Sequence, residues 1–131
     1  MRVEPITYTD YDGNVRTERF YFNISAAEIA KWEIATPGGL EQKFTIITER
    51  QDPKEILEAF DELLKKSYGK KSDDGRTFVK NDDLWNEFVA TEAYSTLILK
   101  FFTDSDYAVK FFQQVFPAIQ EDADPIPFPS N

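Results

Sequence analysis

The chain has no histidine and no cysteine, and its only methionine is Met1. These absences exclude thiol nucleophiles, imidazole acid–base chemistry, zinc sites built on Cys or His, haem ligation and disulfide scaffolding. Glycine is scarce too, five in 131 residues. The one doublet, Gly38-Gly39, lacks the Lys and Ser/Thr that a phosphate-cradling loop needs. No apolar run approaches the roughly 20 residues of a membrane-spanning helix, and no basic, apolar leader opens the chain. The expectation is a soluble intracellular protein, not an enzyme, with no cofactor and no membrane partner.

Basic residues are the next shortage: 15 against 24 acidic side chains, a net charge of −9. A surface this acidic is repelled by phosphate backbones, which argues against a nucleic-acid partner. The charge serves solubility; a sharper reading is that it keeps an aromatic surface dispersed until a partner arrives. Aromatics are what the chain has in excess, with 12 Phe, 6 Tyr and 2 Trp making up 15% of it. At 41% hydrophobic over 131 residues it can bury the core of one domain.

Residues 6–28 read as a hairpin that runs into a capped helix. Ile6 and Tyr8 on one arm, and Phe20, Phe22 and Ile24 on the other, alternate onto one face. Asp12-Gly13-Asn14 supplies the turn, and Ser25 with Glu28 forms a capping box. A short helix over 26–35 ends at Thr36-Pro37-Gly38-Gly39. A second follows over 40–50, with Leu40, Phe44 and Ile47 in helical register, although Thr45 and Thr48 weigh against it. Asp52-Pro53 opens the clearest helix, striped by Ile56, Leu57, Phe60, Leu63 and Leu64. Tyr68-Gly69 is expected to close it, with Gly69 in the left-handed position. Lys70 to Lys80 reads as a polar segment with a turn at 72–75 and a brief extended piece at 76–79. Asn81 or Asp82 caps a helix bearing Leu84, Trp85, Phe88 and Val89 that continues through Phe102 with a bend near Thr91. Asp104 caps a last helix carrying Tyr107, Ala108, Phe111, Phe112, Val115 and Phe116.

The fold class is α+β, mostly α, with one N-terminal hairpin (about 4–24) packed on five to six short helices (about 26–117). Residues 118–131 hold Glu121, Asp122 and Asp124 before Pro125-Ile126-Pro127-Phe128-Pro129. That composition reads as a flexible acidic tail, with docking of Ile126 and Phe128 onto the aromatic surface as the alternative.

Calcium is the one metal the sequence suggests, because Asp10, Asp12 and Asn14 stand two apart. An EF-hand loop needs Gly at its sixth position and an acid at its twelfth, where this chain has Val15 and Tyr21. Asp73-Asp74-Gly75 fails as well, since Lys70 stands where the first ligand belongs. Both are read as turns. The doublets Phe101-Phe102 and Phe111-Phe112 are more informative. Neighbours on a helix point about 100° apart, so each doublet widens the apolar arc beyond one packing face. Phe101, Phe102, Phe111, Phe112 and Phe116 are therefore the candidate partner-binding residues.

Four segments, in order along the chain, carry a family resemblance: TYTDYDGNVRTERFYFN (7–23), Gly39-Leu40 opening a helix, SYGKKSDDGRTFVK (67–80) and TEAYSTL (91–97). Together the chain resembles a tail assembly chaperone of long-tailed phages or prophages of Gram-positive bacteria. The resemblance implies a protein that binds the tape measure protein and keeps it soluble while tube subunits polymerise around it. It implies action in the host bacterial cytoplasm and absence from the mature virion. The tail tube protein, a frameshifted longer form of the same chain and a homo-oligomer are further partners compatible with it. A structural tail or head–tail joining subunit retained in the virion is the alternative.

Overall fold

The computed structural model describes residues 1–115; Phe116, Pro117 and the expected tail 118–131 lie outside the described residues. Strands β1 (Arg2–Thr9) and β2 (Val15–Phe22) pair antiparallel, Glu4 opposite Phe20 and Ile6 opposite Glu18. Their period-2 pattern turns Glu4, Ile6, Phe20 and Phe22 inward. Pro5 sits on β1, the edge strand, where a missing N–H costs least. The turn between them is organised by Asp10. Its Oδ1 accepts from the backbone N–H of Asp12 (3.0 Å) and Asn14 (2.8 Å), and its Oδ2 accepts from Arg16 Nε at 2.7 Å. Gly13 supplies the positive φ, 87°. The hydrogen bond from Arg16, then those from the backbone, hold the Asp10 carboxyl below its usual range.

Helix α1 (Ala26–Ala35) starts with the expected capping box: Ser25 Oγ accepts from Glu28 N at 3.2 Å, and Glu28 Oε1 accepts from Ser25 N at 2.9 Å. Helix α2 (Gly39–Arg50) forms despite its threonines; the Thr48 hydroxyl donates to the Phe44 carbonyl within the helix at 2.8 Å. Helix α3 (Pro53–Ser67) is capped by Asp52, whose side chain accepts from Lys54 N.

The structure departs from expectation after α3. Gly69 is not a left-handed helix end. The chain passes straight into β3 (Tyr68–Lys71), which pairs with β2 (Tyr21 opposite Gly69) and with β4 (Phe78–Val79). A Cβ on Gly69 would lie 2.5 Å from the Val79 carbonyl oxygen, so glycine is needed there for close strand approach. The polar segment 70–80 is thus a second hairpin, and the sheet has four antiparallel strands in the order β1-β2-β3-β4. A second departure is a break in the long helix expected after Asn81. Helix α4 (Asp82–Val89) stops before Ala90, and α5 (Glu92–Thr103) restarts with Thr91 as its N-cap, the Thr91 hydroxyl donating to the Phe88 carbonyl at 2.7 Å. Helix α6 (Ser105–Val115) follows, with Asp104 Oδ1 accepting from Tyr107 N at 3.0 Å.

One hydrophobic cluster joins the inner sheet face to α4, α5 and α6, and aromatic rings fill it. Phe22 meets Phe111 at 5.0 Å between centroids, Tyr68 stacks on Phe88 at 4.7 Å, and Phe101 meets Phe111 at 5.1 Å. Helices α1 and α2 join through Trp32 and Phe44, 5.8 Å apart. A buried polar clamp fixes α6 to β1. Tyr107 donates its hydroxyl to Glu4 Oε2, while Arg2 Nε and Nη2 donate to Glu4 Oε1 at 2.9 and 2.6 Å. Burial, and then the bond to Glu4, push the Tyr107 hydroxyl pKa well up. The chain is α+β and mostly α.

Candidate functional site

Three helices each turn one uncharged stripe toward a common groove. Helix α2 with its C-cap contributes Phe44, Ile47, Thr48 and Gln51; α3 contributes Ile56, Ala59, Phe60 and Leu63; α6 contributes Ser105, Ala108, Val109, Phe112 and Gln113. In every stripe the spacing is i, i+3, i+4, i+7, one face of an α-helix. The groove is open, encloses about 830 Å³ and, among the described residues, has no charged residue in its lining.

The α2–α3 wall is set by its connection and by ion pairs placed away from the groove. Gln51 takes a left-handed turn (φ 52°) and Asp52 restarts the helix. Arg50 meets Glu55 at 2.6 Å, and Lys43 meets Glu62 at 2.6 Å, tying the two helices side by side. The opposite wall, α6, is fixed by the Glu4 clamp at Tyr107 and by Ile24 N donating to Val115 O at 3.3 Å. An apolar channel between two separately anchored walls can take an apolar helix face or a chain of apolar side chains.

The two Phe doublets divide between interior and surface. Phe101 and Phe111 are fully packed in the core, at 2% and 0% exposure. Phe112 lines the groove and is half-buried, with Phe60 stacked on it at 6.0 Å. Phe102 is 46% exposed beside Phe60, 5.9 Å away. Phe116 lies outside the described residues. The structure therefore brings Phe102 and Phe112 to the surface around Phe60 and takes Phe101 and Phe111 inward.

Sequence reasoning confined the candidate surface to the last two helices and missed the α2–α3 wall. A signal was present. The α3 stripe, with Ile56 and Leu57 and again Leu63 and Leu64 adjacent, is as broad as the doublets of α5 and α6. Part of it, Leu64, is buried in the core, while Ile56, Phe60 and Leu63 reach the groove.

Among the described residues no three carboxylates gather in a metal-binding group, and no helix is long and apolar enough to cross a membrane. Tyr94 donates its hydroxyl to Asp61, and burial together with that bond raises its pKa well above the ordinary tyrosine value. Both groups are thereby taken up in joining α5 to α3.

Comparison with known proteins gives a match to one family model and none to curated proteins or to solved structures. The matching family is described as phage tail assembly chaperone, and the match runs over residues 1–125, both hairpins and all three helices of the groove included. The chain belongs to the phage tail assembly chaperone family.

Proposed function

We propose that this chain binds the tape measure protein and keeps it soluble during tail tube assembly, by taking apolar faces of its helices into the α2–α3–α6 groove. One observation carries the reading: three uncharged apolar stripes converge on an open groove in a chain of net charge −9. Amphipathic helices lay their apolar faces into grooves of this kind. The acidic remainder of the surface keeps free copies apart while the groove stands open. The role is one of binding without catalysis, in the host cytoplasm, and the protein leaves before the virion is complete.

Co-expression with the tape measure protein tests the proposal. Val109 lines the groove and is 55% exposed, so Val109→Asp places a charge there at little cost to folding. The expected result is a folded chaperone, by circular dichroism, that recovers much less soluble tape measure protein than the parent does. Unchanged recovery and co-purification would overturn the groove as the binding surface. Mass spectrometry of purified virions tests the second part, and stoichiometric retention of the chain in tails would refute release.

A further inference from the structure

The sheet forks between its two hairpins. Strand β2 pairs with β1 over its whole length, Val15–Phe22, but with β3 at Tyr21 and Phe22 alone. On the outer face, the next residues in that register are Arg19 and Lys71. Two cations would then stand directly opposite each other, and like charges in that position oppose pairing. The strands part there, and Lys70 and Lys71 pair with β4 instead. A concavity of about 260 Å³ lies in the fork, lined by Phe20, Tyr68, Phe88 and Thr91 and by the charged residues Glu18 and Lys71.

Beyond the fork, β2 has a free edge. The Asp10 N–H donates to the Asn14 carbonyl at 2.8 Å, one step past the Thr9–Val15 pair, and this sets the phase of the ladder. Arg16, Glu18 and Phe20 therefore bond to β1, while Val15, Thr17 and Arg19 turn their N–H and C=O groups the other way. No described residue pairs with those groups. Edges are normally blunted. On β1, Pro5 breaks the row of donors, and β4 is two residues long. The free half of β2 has neither proline nor glycine, and its side chains lean back toward the first hairpin. Arg16 bonds Asp10 at 2.7 Å, Glu18 accepts from the Tyr8 hydroxyl, and the Thr17 and Thr7 hydroxyls meet at 2.8 Å.

N–H and C=O groups at alternate residues are matched by the backbone of another extended chain. The concavity, about 260 Å³, is smaller than the roughly 300 Å³ at which small-molecule sites begin, and suits one side chain. We propose that β2 accepts an extended segment of a partner protein as an added antiparallel strand opposite residues 15–19. A carboxylate of that strand lies between Arg19 and Lys71, the charge whose lack parts the hairpins. The next side chain is apolar and enters the concavity, since neighbours in a strand point to opposite faces. The edge lies apart from the α2–α3–α6 groove, and the proposal does not depend on the role assigned to that groove.

The probe is acetyl-Glu-Phe-Thr-Val-Thr-amide, added to the full-length chain and followed by amide hydrogen exchange in NMR spectra. At about ten times its Kd, exchange at Val15, Thr17 and Arg19 should slow about tenfold, while Arg16 and Glu18, already bonded to β1, should not change. N-methylation of the third probe residue, which faces β2, should abolish binding, and N-methylation of the fourth should not. Lys in place of the first probe residue should weaken binding, and R19E/K71E should reverse that preference. Thr17→Pro removes one free N–H as Pro5 does on β1, and should lose the probe while keeping its circular dichroism; the peptide comparisons stand whether or not that variant folds. No slowing at any probe concentration, equal slowing at all five amides, or a Lys probe that binds as well as the Glu probe overturns the proposal. Protection of the three amides in the free chain also overturns it. The edge is then filled by the chain itself or, where protection grows with protein concentration, by a second copy.

Discussion

The two Phe doublets offer a direct test of how the fold divides its aromatics, because chemically identical truncations should cost very different amounts. Phe111 is 0% exposed and its ring lies within 5.0–5.1 Å of those of Phe22, Phe101 and Phe112. Phe111→Ala removes a fully buried ring and leaves a cavity that the sheet and α5 cannot both close, so about 3–5 kcal/mol should be lost. Phe101→Ala should fall in the same range. Phe102 keeps 46% of its surface in water and, among the described residues, meets one aromatic ring, that of Phe60. Burying a whole Phe stabilises by about 1.5–3 kcal/mol, so roughly half of that, about 1 kcal/mol, is at stake, and solvent fills the space. Phe112, half-buried over the groove, should lie between them. The assay is urea unfolding followed by the fluorescence of Trp32 and Trp85. With a slope of about 1–3 kcal/mol per molar, the Phe111 loss moves the midpoint by a molar or more. A domain with about 5–15 kcal/mol in total is left close to unfolding by such a change. Equal losses for Phe102→Ala and Phe111→Ala would refute the division into core and surface members.

Glu4→Ala should destabilise by about 3 kcal/mol in the same assay, because it leaves the partly buried Arg2 and the Tyr107 hydroxyl without their shared acceptor; a neutral result would mean the clamp does not hold α6. Gly69→Ala should cost about 1–3 kcal/mol by forcing a Cβ against the Val79 carbonyl, read as a lowered melting temperature. Burial pushes the Tyr68 hydroxyl up to about 12 from 10.0 and raises Tyr94 and Tyr107 as well. A group whose folded pKa is raised contributes stability that is present below its unfolded value, so unfolding titrations should show stability falling as pH rises above 10.0 toward 12. Tyr68→Phe should flatten part of that fall, and an unchanged slope would contradict it.

Local chemistry alone decided much of this protein. The capping box at Ser25 and Glu28, the Asp52-Pro53 start of α3 and the caps at Asn81 and Asp104 act within one turn of chain, so the sequence shows them without reference to the rest of the fold. The inward face of the first hairpin was equally legible, since alternation over eight residues admits one reading. The family was legible too, through four segments in order along the chain. Tertiary structure decided what local signals leave open. Tyr68-Gly69 has the composition of a helix end, yet the pairing of Gly69 with Tyr21 and the packing of Tyr68 on Phe88 draw it into the sheet. Which member of each doublet faces the core was open as well, because helical spacing gives the angle between neighbours and not the direction of the core. The groove depends most on the fold. Its residues come from stripes separated by up to 69 positions, Phe44 to Gln113, and each stripe alone reads as an ordinary packing face. Only the anchoring of α6 to β1 and of α2 to α3 leaves those faces opposite one another and uncovered by any other described element, because helix periodicity states which residues share a face but not what that face meets.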